Sequence, residues 1–574
     1  MMSAPAPPAA APVRRDRYYL GPTFVVEHRP TRGEPHGTAI VLLPPMGYED
    51  VCAHRPLRVL AEALAAAGHL VLHLDWPGLG DSALDDSAPD LPDHWIRAAE
   101  GAAESLRARG YTHIAGVGVR AGALIAIHSA SFDELVLWAM PASGRTYLRE
   151  ERVFERMSAP SLGKAFEGPK QPEGTVEAAG FVYRPETVAG LEKLLSTTGA
   201  SARRARVLLI ERDGATSPAG LLDAFENAGT PVSHGPAVGL GDLLERPYKA
   251  HLDPNVLEAI LGWFAAGKTA LQGTARRPGG ATRLTIEHGC SERPWVERGG
   301  VGELSGVVCE PAGGARPGQA WTLFFNAGGM RRAGPNRLWT TAARALAARG
   351  VPSLRFDVRD VGDSDGTAIP FRDLDGMYSE ASIGDALVAF DWVNAQGAAA
   401  IDVVGLCSGA YLGMQVASRR KVRRALLFNG LAYVWNDDAR ASDMTSEVGR
   451  SLFDRRRWGR LLSGRIDAKE LARSLATKAR VRLANRVARM RGLPPVDEVA
   501  ELIRSVTERG TDLHLVSSDG DPSIEYLNAH TTPSTRPRLT ILPGIDHTIR
   551  PVWAHARVIE LVMETACPTR RTST

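Results

Sequence analysis

Residues 401–415, IDVVGLCSGAYLGMQ, pass from an apolar run through a tight turn into a helical pattern. The turn is Gly405-Leu406-Cys407-Ser408-Gly409, with a nucleophilic side chain at its apex and glycine two positions to either side. Such a strand-to-helix turn strains the apex residue, and side chains at the flanking positions would clash with neighbouring backbone. The apex also sits at a helix N-terminus, which favours a thiolate and offers free N–H groups to an oxyanion. The pattern is glycine, any residue, nucleophile, any residue, glycine, with Cys where Ser is the commoner choice.

A nucleophile of this kind needs an acid and a base, expected later in the chain in the order acid, then His. DLHLVSSDGDPSIEYL reads as a strand ending in a turn, which puts Asp521 at the acid position and Asp519 second to it. RLTILPGIDHTIRPVWAH reads as the last strand and last helix, with His547 at their junction and Asp546 as a turn residue. The oxyanion donors expected are the N–H of Ser408 and an N–H from Asn326-Ala327-Gly328-Gly329, with Ala327 and Gly328 as the candidates. A lone Cys is more often a buried structural thiol. The elbow glycines and the ordered Asp521 and His547 favour catalysis instead.

Working outward, the same grammar occurs twice. TAIVLLPP, HRPLRVLAEALAAAG and HLVLHLDWPGLGDS match WTLFFNAGG, NRLWTTAARALAARG and VPSLRFDVRDVGDSDG. Each set reads as a buried strand, an amphipathic helix ending in Gly, and a second strand leading into an Asp/Gly-rich turn. GVGVRAGALIAI then matches VVGLCSGAYLGMQVA. Strands alternating with helices imply a mostly parallel sheet with right-handed crossovers, here two α/β domains in tandem. The boundaries read as a disordered Ala/Pro-rich tail over 1–16, a first domain over 17–266, a Gly/Arg-rich linker over 267–283 and a second domain over 284–567.

The first elbow, Gly118-Val119-Arg120-Ala121-Gly122, carries Arg at its apex, and a guanidinium stays protonated and attacks nothing. Asp213 stands at the acid position, no His follows where one is needed, and His251 lies too far on. Arg120 either binds an anion or forms a leftover salt bridge with Asp213; Ser143 is a displaced hydroxyl with nothing to activate it.

A chain of 574 residues exceeds a single hydrophobic core. With 44% hydrophobic residues it is globular in composition, and a net charge of +3 on this length names no partner class. Five scattered cysteines argue for a reducing cytoplasm and against a disulfide framework; no metal-ligand spacing and no cofactor motif is present. No bilayer-spanning apolar run occurs, so no stable membrane insertion is expected. An insertion over about 436–505 reads as a helical lid rich in basic residues, with Arg455, Arg456, Arg457, Trp458 and Arg460 at its start. A charge run is usually a solvated face. Over an acyl-transfer site it would instead steer an anionic donor, an acyl carrier protein or a CoA thioester. Nucleic acid is not expected, because no aromatic–basic interleaving accompanies the charge.

GLCSGAYLG, LRFDVRDVGDSDG, SSDGDPSIEYL and GIDHTI resemble the serine-aminopeptidase-like branch of the α/β-hydrolases. The second half is similar to the Cys-elbow hydrolases associated with exosortase gene clusters, and the first half to their Arg-elbow companions. The resemblance implies two tandem α/β-hydrolase domains, the first degenerate, with Cys407 as nucleophile, Asp521 as acid and His547 as base. Arg359-Asp360 stands where the family usually has Arg-Gly, and Ser408 follows the Cys where Asp is common. The expected chemistry is cleavage of an ester or thioester through an acyl-Cys. The alternatives are acyl transfer to an alcohol or amine, and a non-catalytic scaffold or carrier-binding protein.

Overall fold

The computed structural model describes residues 13–31, 36–158, 171–267, 279–286, 289–366, 374–436 and 497–567. The lid arginines 455, 456, 457 and 460, and Trp458, lie outside the described residues.

The first sheet is built from β1 (Val13–Leu20), β2 (Thr23–Pro30), β3 (Thr38–Leu43), β4 (Val71–Leu74), β5 (His113–Val119) and β6 (Glu134–Trp138). After a hairpin of β7 (Val176–Ala178) and β8 (Phe181–Tyr183), it is completed by β9 (Arg206–Ile210) and β10 (Val232–His234). The second contains β11 (Leu284–Thr285), β12 (Ser291–Gly299), β13 (Gly302–Glu310), β14 (Ala320–Phe324), β15 (Ser353–Phe356), β16 (Ala400–Leu406), β17 (Arg424–Phe428), β18 (Asp512–Ser518) and β19 (Arg538–Leu542). The orders are β1-β2-β4-β3-β5-β6-β9-β10 and β11-β12-β13-β15-β14-β16-β17-β18-β19. Apart from the short β11, both sheets repeat one order: two antiparallel strands, a swapped pair, then parallel strands. These are two α/β-hydrolase-type sheets flanked by helices.

The central strands are apolar on both sides because helices cover both faces. In β17, Ala425 and Leu427 face one core while Leu426 and Phe428 face the other. In β6, Leu135 and Leu137 alternate in the same way with Val136 and Trp138. Helices 380–395, 408–419 and 498–508 cover one face of the second sheet, and helices 338–348 and 552–566 the other.

β1 starts at Val13, earlier than the tail boundary read from the sequence. Ala281, within the stretch read as linker, is bridged to Tyr19 of the first domain.

The Asp/Gly-rich turns after β4 and β15 have matched internal bonding. The Ser82 hydroxyl donates to the Asp75 carbonyl at 2.6 Å, and the Ser364 hydroxyl to the Asp357 carbonyl at 2.6 Å. The two turns face each other across the domain boundary and meet a cluster of buried cations. Arg332, fully buried, pairs with Asp81 of the first domain at 2.7 Å and with Asp357 and Asp363 of its own at 2.5 and 2.8 Å. Arg331 pairs with Asp75 at 2.5 Å and Asp50 at 3.0 Å. Reciprocally, His54 of the first domain meets Asp363 at 3.0 Å, and Arg58 donates to the Ser364 carbonyl at 2.7 Å. Arg337 caps the first turn by donating to the carbonyls of Gly78, Gly80, Ser82 and Leu84.

Candidate active site

Cys407 sits between β16 and helix Ser408–Arg419 with φ +57° and ψ −115°. Arg120, between β5 and helix Ala121–His128, has φ +54° and ψ −121°. The two elbows share one strained backbone and differ in side chain. A Cβ at Gly405 would collide with the Gly409 carbonyl, and one at Gly409 would lie 2.5 Å from the Asn326 carbonyl. The glycines are therefore steric requirements of the turn.

His547 lies in the loop between β19 and helix Val552–Ala566, and its Nδ1 is 2.7 Å from Asp521 Oδ2. The other oxygen of Asp521 accepts from the Ser523 N–H at 2.9 Å, capping helix Pro522–His530 and fixing the carboxylate. The Asp521 side chain is 2% exposed and the imidazole 28%, so the acid is sealed behind the ring. Nε2 of His547 has no hydrogen-bond partner among the described residues, and Cys407 is the charge that most raises the ring's proton affinity. The structure thus brings together all three side chains that the sequence singled out.

Their electrostatics are mutual. Burial works against ionising Cys407, but the imidazolium of His547, helped by the Tyr378 hydroxyl and the Ser408 N–H, outweighs it and lowers the thiol. Burial works against charging His547, yet Cys407 and Asp521 raise it to about 10. Asp521 is held below its ordinary value, because His547 and the Ser523 N–H overcome its burial. The other four thiols move the opposite way: burial pushes Cys52, Cys290, Cys309 and Cys567 up.

The Ser408 N–H faces the sulfur from the first turn of the helix. Gly328 N–H donates to the Ser408 hydroxyl at 2.9 Å, so the residue after the Cys ties the two candidate oxyanion segments together. Ala327 is buried in the same loop, which Asn326 pins by donating to Asp357 and to the Met330 carbonyl, each at 3.0 Å. Asp360 has φ +62°, the conformation that makes Gly usual there, and its side chain reaches Arg55 of the first domain at 3.4 Å. Arg359 forms a two-pronged pair with Asp385 at 2.7 and 2.8 Å.

Two residues were not anticipated. Tyr378 places its hydroxyl 4.0 Å from the Cys407 sulfur and stacks on Trp435 at 4.2 Å. Asn429, with φ +47°, donates to the His547 carbonyl at 2.6 Å and to the Ser518 hydroxyl at 2.9 Å, bracing the base against the acid strand. A polar residue directly after an apolar strand was the available signal for Asn429. Nothing local marks Tyr378. Asp519 is exposed, and Asp546 accepts from the Arg550 N–H at 2.9 Å and the Thr548 hydroxyl at 2.8 Å.

The first elbow corrects both readings of Arg120. Its guanidinium pairs with Glu49 at 2.8 Å and Glu150 at 2.7 Å, so it is neither a free anion site nor a partner of Asp213, which is exposed. The sequence missed these carboxylates because they come from two helices remote from the elbow. The Ser143 hydroxyl accepts the Thr146 N–H at 3.1 Å and serves a helix start. Among the described residues no cluster of His, Cys, Asp and Glu is arranged to hold a metal, and no helix is long and apolar enough to cross a membrane.

No family model and no curated protein matches the chain. Among solved structures it is similar to an α/β serine hydrolase homologue from Coxiella burnetii, at 17% identity and a TM-score of 0.29, over 47% of this chain and 96% of that one. A dienelactone hydrolase from Anabaena variabilis is similar at 15% identity and a TM-score of 0.30, over 48% of this chain and 97% of that one. An esterase from Pyrococcus furiosus is similar at 14% identity and a TM-score of 0.31, over 49% and 92%.

Proposed function

We propose that the second domain cleaves an ester or thioester through an acyl-Cys intermediate. The observation that carries this reading is the Asp521–His547 hydrogen bond beside a thiol on a strained elbow, with that thiol alone among the five shifted toward its anion by the His547 charge. The Cys407 thiolate attacks the carbonyl carbon, and the negative oxygen is held by the Ser408 N–H and a donor of the 326–329 loop. The imidazolium of His547 protonates the departing alcohol or thiol. The neutral ring then takes a proton from water as it attacks the acyl-Cys, and the acid and the enzyme are released.

Intact-mass spectrometry after brief exposure to an activated acyl ester is expected to show one acyl adduct on the wild type and none on Cys407→Ala. An adduct that persists in Cys407→Ala sinks the assignment. An adduct that forms on the wild type but is never discharged by water or by an added amine sinks the turnover.

A further inference from the structure

The first elbow lost its nucleophile and kept a cavity. Beside Arg120 lies a space of about 390 Å³, lined by Tyr48, Glu49, Glu150, Glu151 and Phe154 among others. Arg120 there faces three carboxyl groups, and the half-exposed Arg212 also pairs with Glu150 at 3.0 Å. Arg120 is matched by Glu49 and Glu150, which leaves Glu151 over. Glu151 is 4% exposed and has no hydrogen-bond partner among the described residues. The second oxygen of Glu49, Oε2, is likewise buried without a partner. A buried acceptor without a partner, beside an unmatched carboxyl, is costly unless a donor arrives.

The charge balance decides the sign of that donor. Arg149 and Arg212 also line the cavity, but Arg149 is exposed and the Arg212 side chain is 50% exposed, so solvent screens both. At depth the carboxyls outnumber the cation, and burial together with the charge of Glu49 pushes Glu151 well up. An anion entering here would meet like charge; a cation would relieve it. The rim has the opposite character. Val153, Phe154 and Met157 are 40%, 38% and 67% exposed, and Phe154 stacks on Tyr48 at 5.7 Å. Exposed apolar side chains gathered at the mouth of a cavity mark a binding surface.

We propose that this cavity binds an amphipathic amine, its ammonium group between Glu49 and Glu151 and its apolar body against Phe154, Val153 and Met157. The site is separate from Cys407 and does not depend on the reaction assigned to it. Titration calorimetry of the full chain with n-octylamine and with octanoate tests it. Octylamine is expected to bind and octanoate to bind at least about tenfold more weakly. Glu151→Gln, nearly isosteric, removes one charge-assisted hydrogen bond and is expected to weaken octylamine by about tenfold or more. Phe154→Ala, at a partly exposed position that folding tolerates, is expected to weaken it too. Equal binding of the two probes overturns the proposal, as does octylamine binding that neither variant changes.

Discussion

At the residue scale, the shifted pair of Cys407 and His547 predicts how reactivity depends on pH. Alkylation by iodoacetamide follows the thiolate, and an ordinary thiol titrates near about 8.5. With the thiol lowered and the imidazolium held to about 10, the anion forms at a pH below the ordinary value and keeps its counter-ion until the ring itself deprotonates. The rate of Cys407 labelling is therefore expected to rise and level off at lower pH than that of the other thiols. In His547→Gln the ring's charge is gone and only the Tyr378 hydroxyl and the Ser408 N–H still oppose burial, so the midpoint moves upward. Peptide mapping of labelled protein over a pH series measures both. An unchanged midpoint in the variant means that the imidazole does not hold the thiolate.

At the scale of elements, the buried charges between the two Asp/Gly-rich turns set the next expectation. Removing one partner of a buried pair costs about 3–5 kcal/mol, because the group left behind is stranded without water. Arg332→Leu takes one partner from Asp81, Asp357 and Asp363 at once, leaving Asp81 to Arg355 and Asp363 to His54. Urea unfolding at pH 7 is expected to show a loss of at least about that size, and a loss below about 1 kcal/mol would refute it. The pH dependence carries a sign. Burial works against the charge on Asp363, yet His54 and Arg332 hold it well below the ordinary carboxylate value. A depressed carboxylate stabilises the fold above its unfolded value, about 3.9, and loses that stabilisation as pH falls through the folded one. Without Arg332, Asp363 still has His54, but Asp357, which burial already raises, loses the cation that opposes that burial and rises further, so the gap between wild type and variant widens from pH 4 to pH 7. These turns also mark the limit of what the sequence conveyed. Strands, elbows and the ordered Asp521 and His547 follow from local rules, namely two-residue alternation, glycine flanks and chain order. The Asp/Gly-rich turns were legible only as turns, because their partners, among them Arg331, Arg332 and His54, lie far off in the chain and several are in the other copy. The first four residues of β1, 13–16, were read as tail for the same reason. Two of the strand's arginines are buried, Arg17 donating to the Ser305 hydroxyl and pairing with Glu303, each at 3.1 Å, and Arg15 pairing with Asp365, all in the second domain. No local pattern turns VRRDRYYL into a strand.

At the scale of the whole molecule, the first domain holds the loops that flank Cys407. The loop that carries Ala327 and Gly328 runs directly into Arg331 and Arg332, whose carboxylate partners include Asp50, Asp75 and Asp81. Gly329 lies so close to Tyr248 that a Cβ there would sit 2.8 Å from its backbone nitrogen. On the far side, Asn336 donates both to the Ala179 carbonyl and to that of Arg550, three residues beyond His547. Unfolding one domain would thus expose paired charges of the other and release both loops that flank Cys407. Tandem domains joined by a weak interface melt separately; domains that share buried ion pairs lose them together. Calorimetry of the full chain is accordingly expected to give one transition whose calorimetric and van't Hoff enthalpies agree. Arg332→Leu should shift that single transition downward by several degrees without splitting it. Two resolved transitions in the wild type, or a variant that moves only part of the heat absorption, would mean that the halves fold independently. The shared charges would then serve only as contacts, and a chain starting at residue 284 should keep the labelling rate of Cys407.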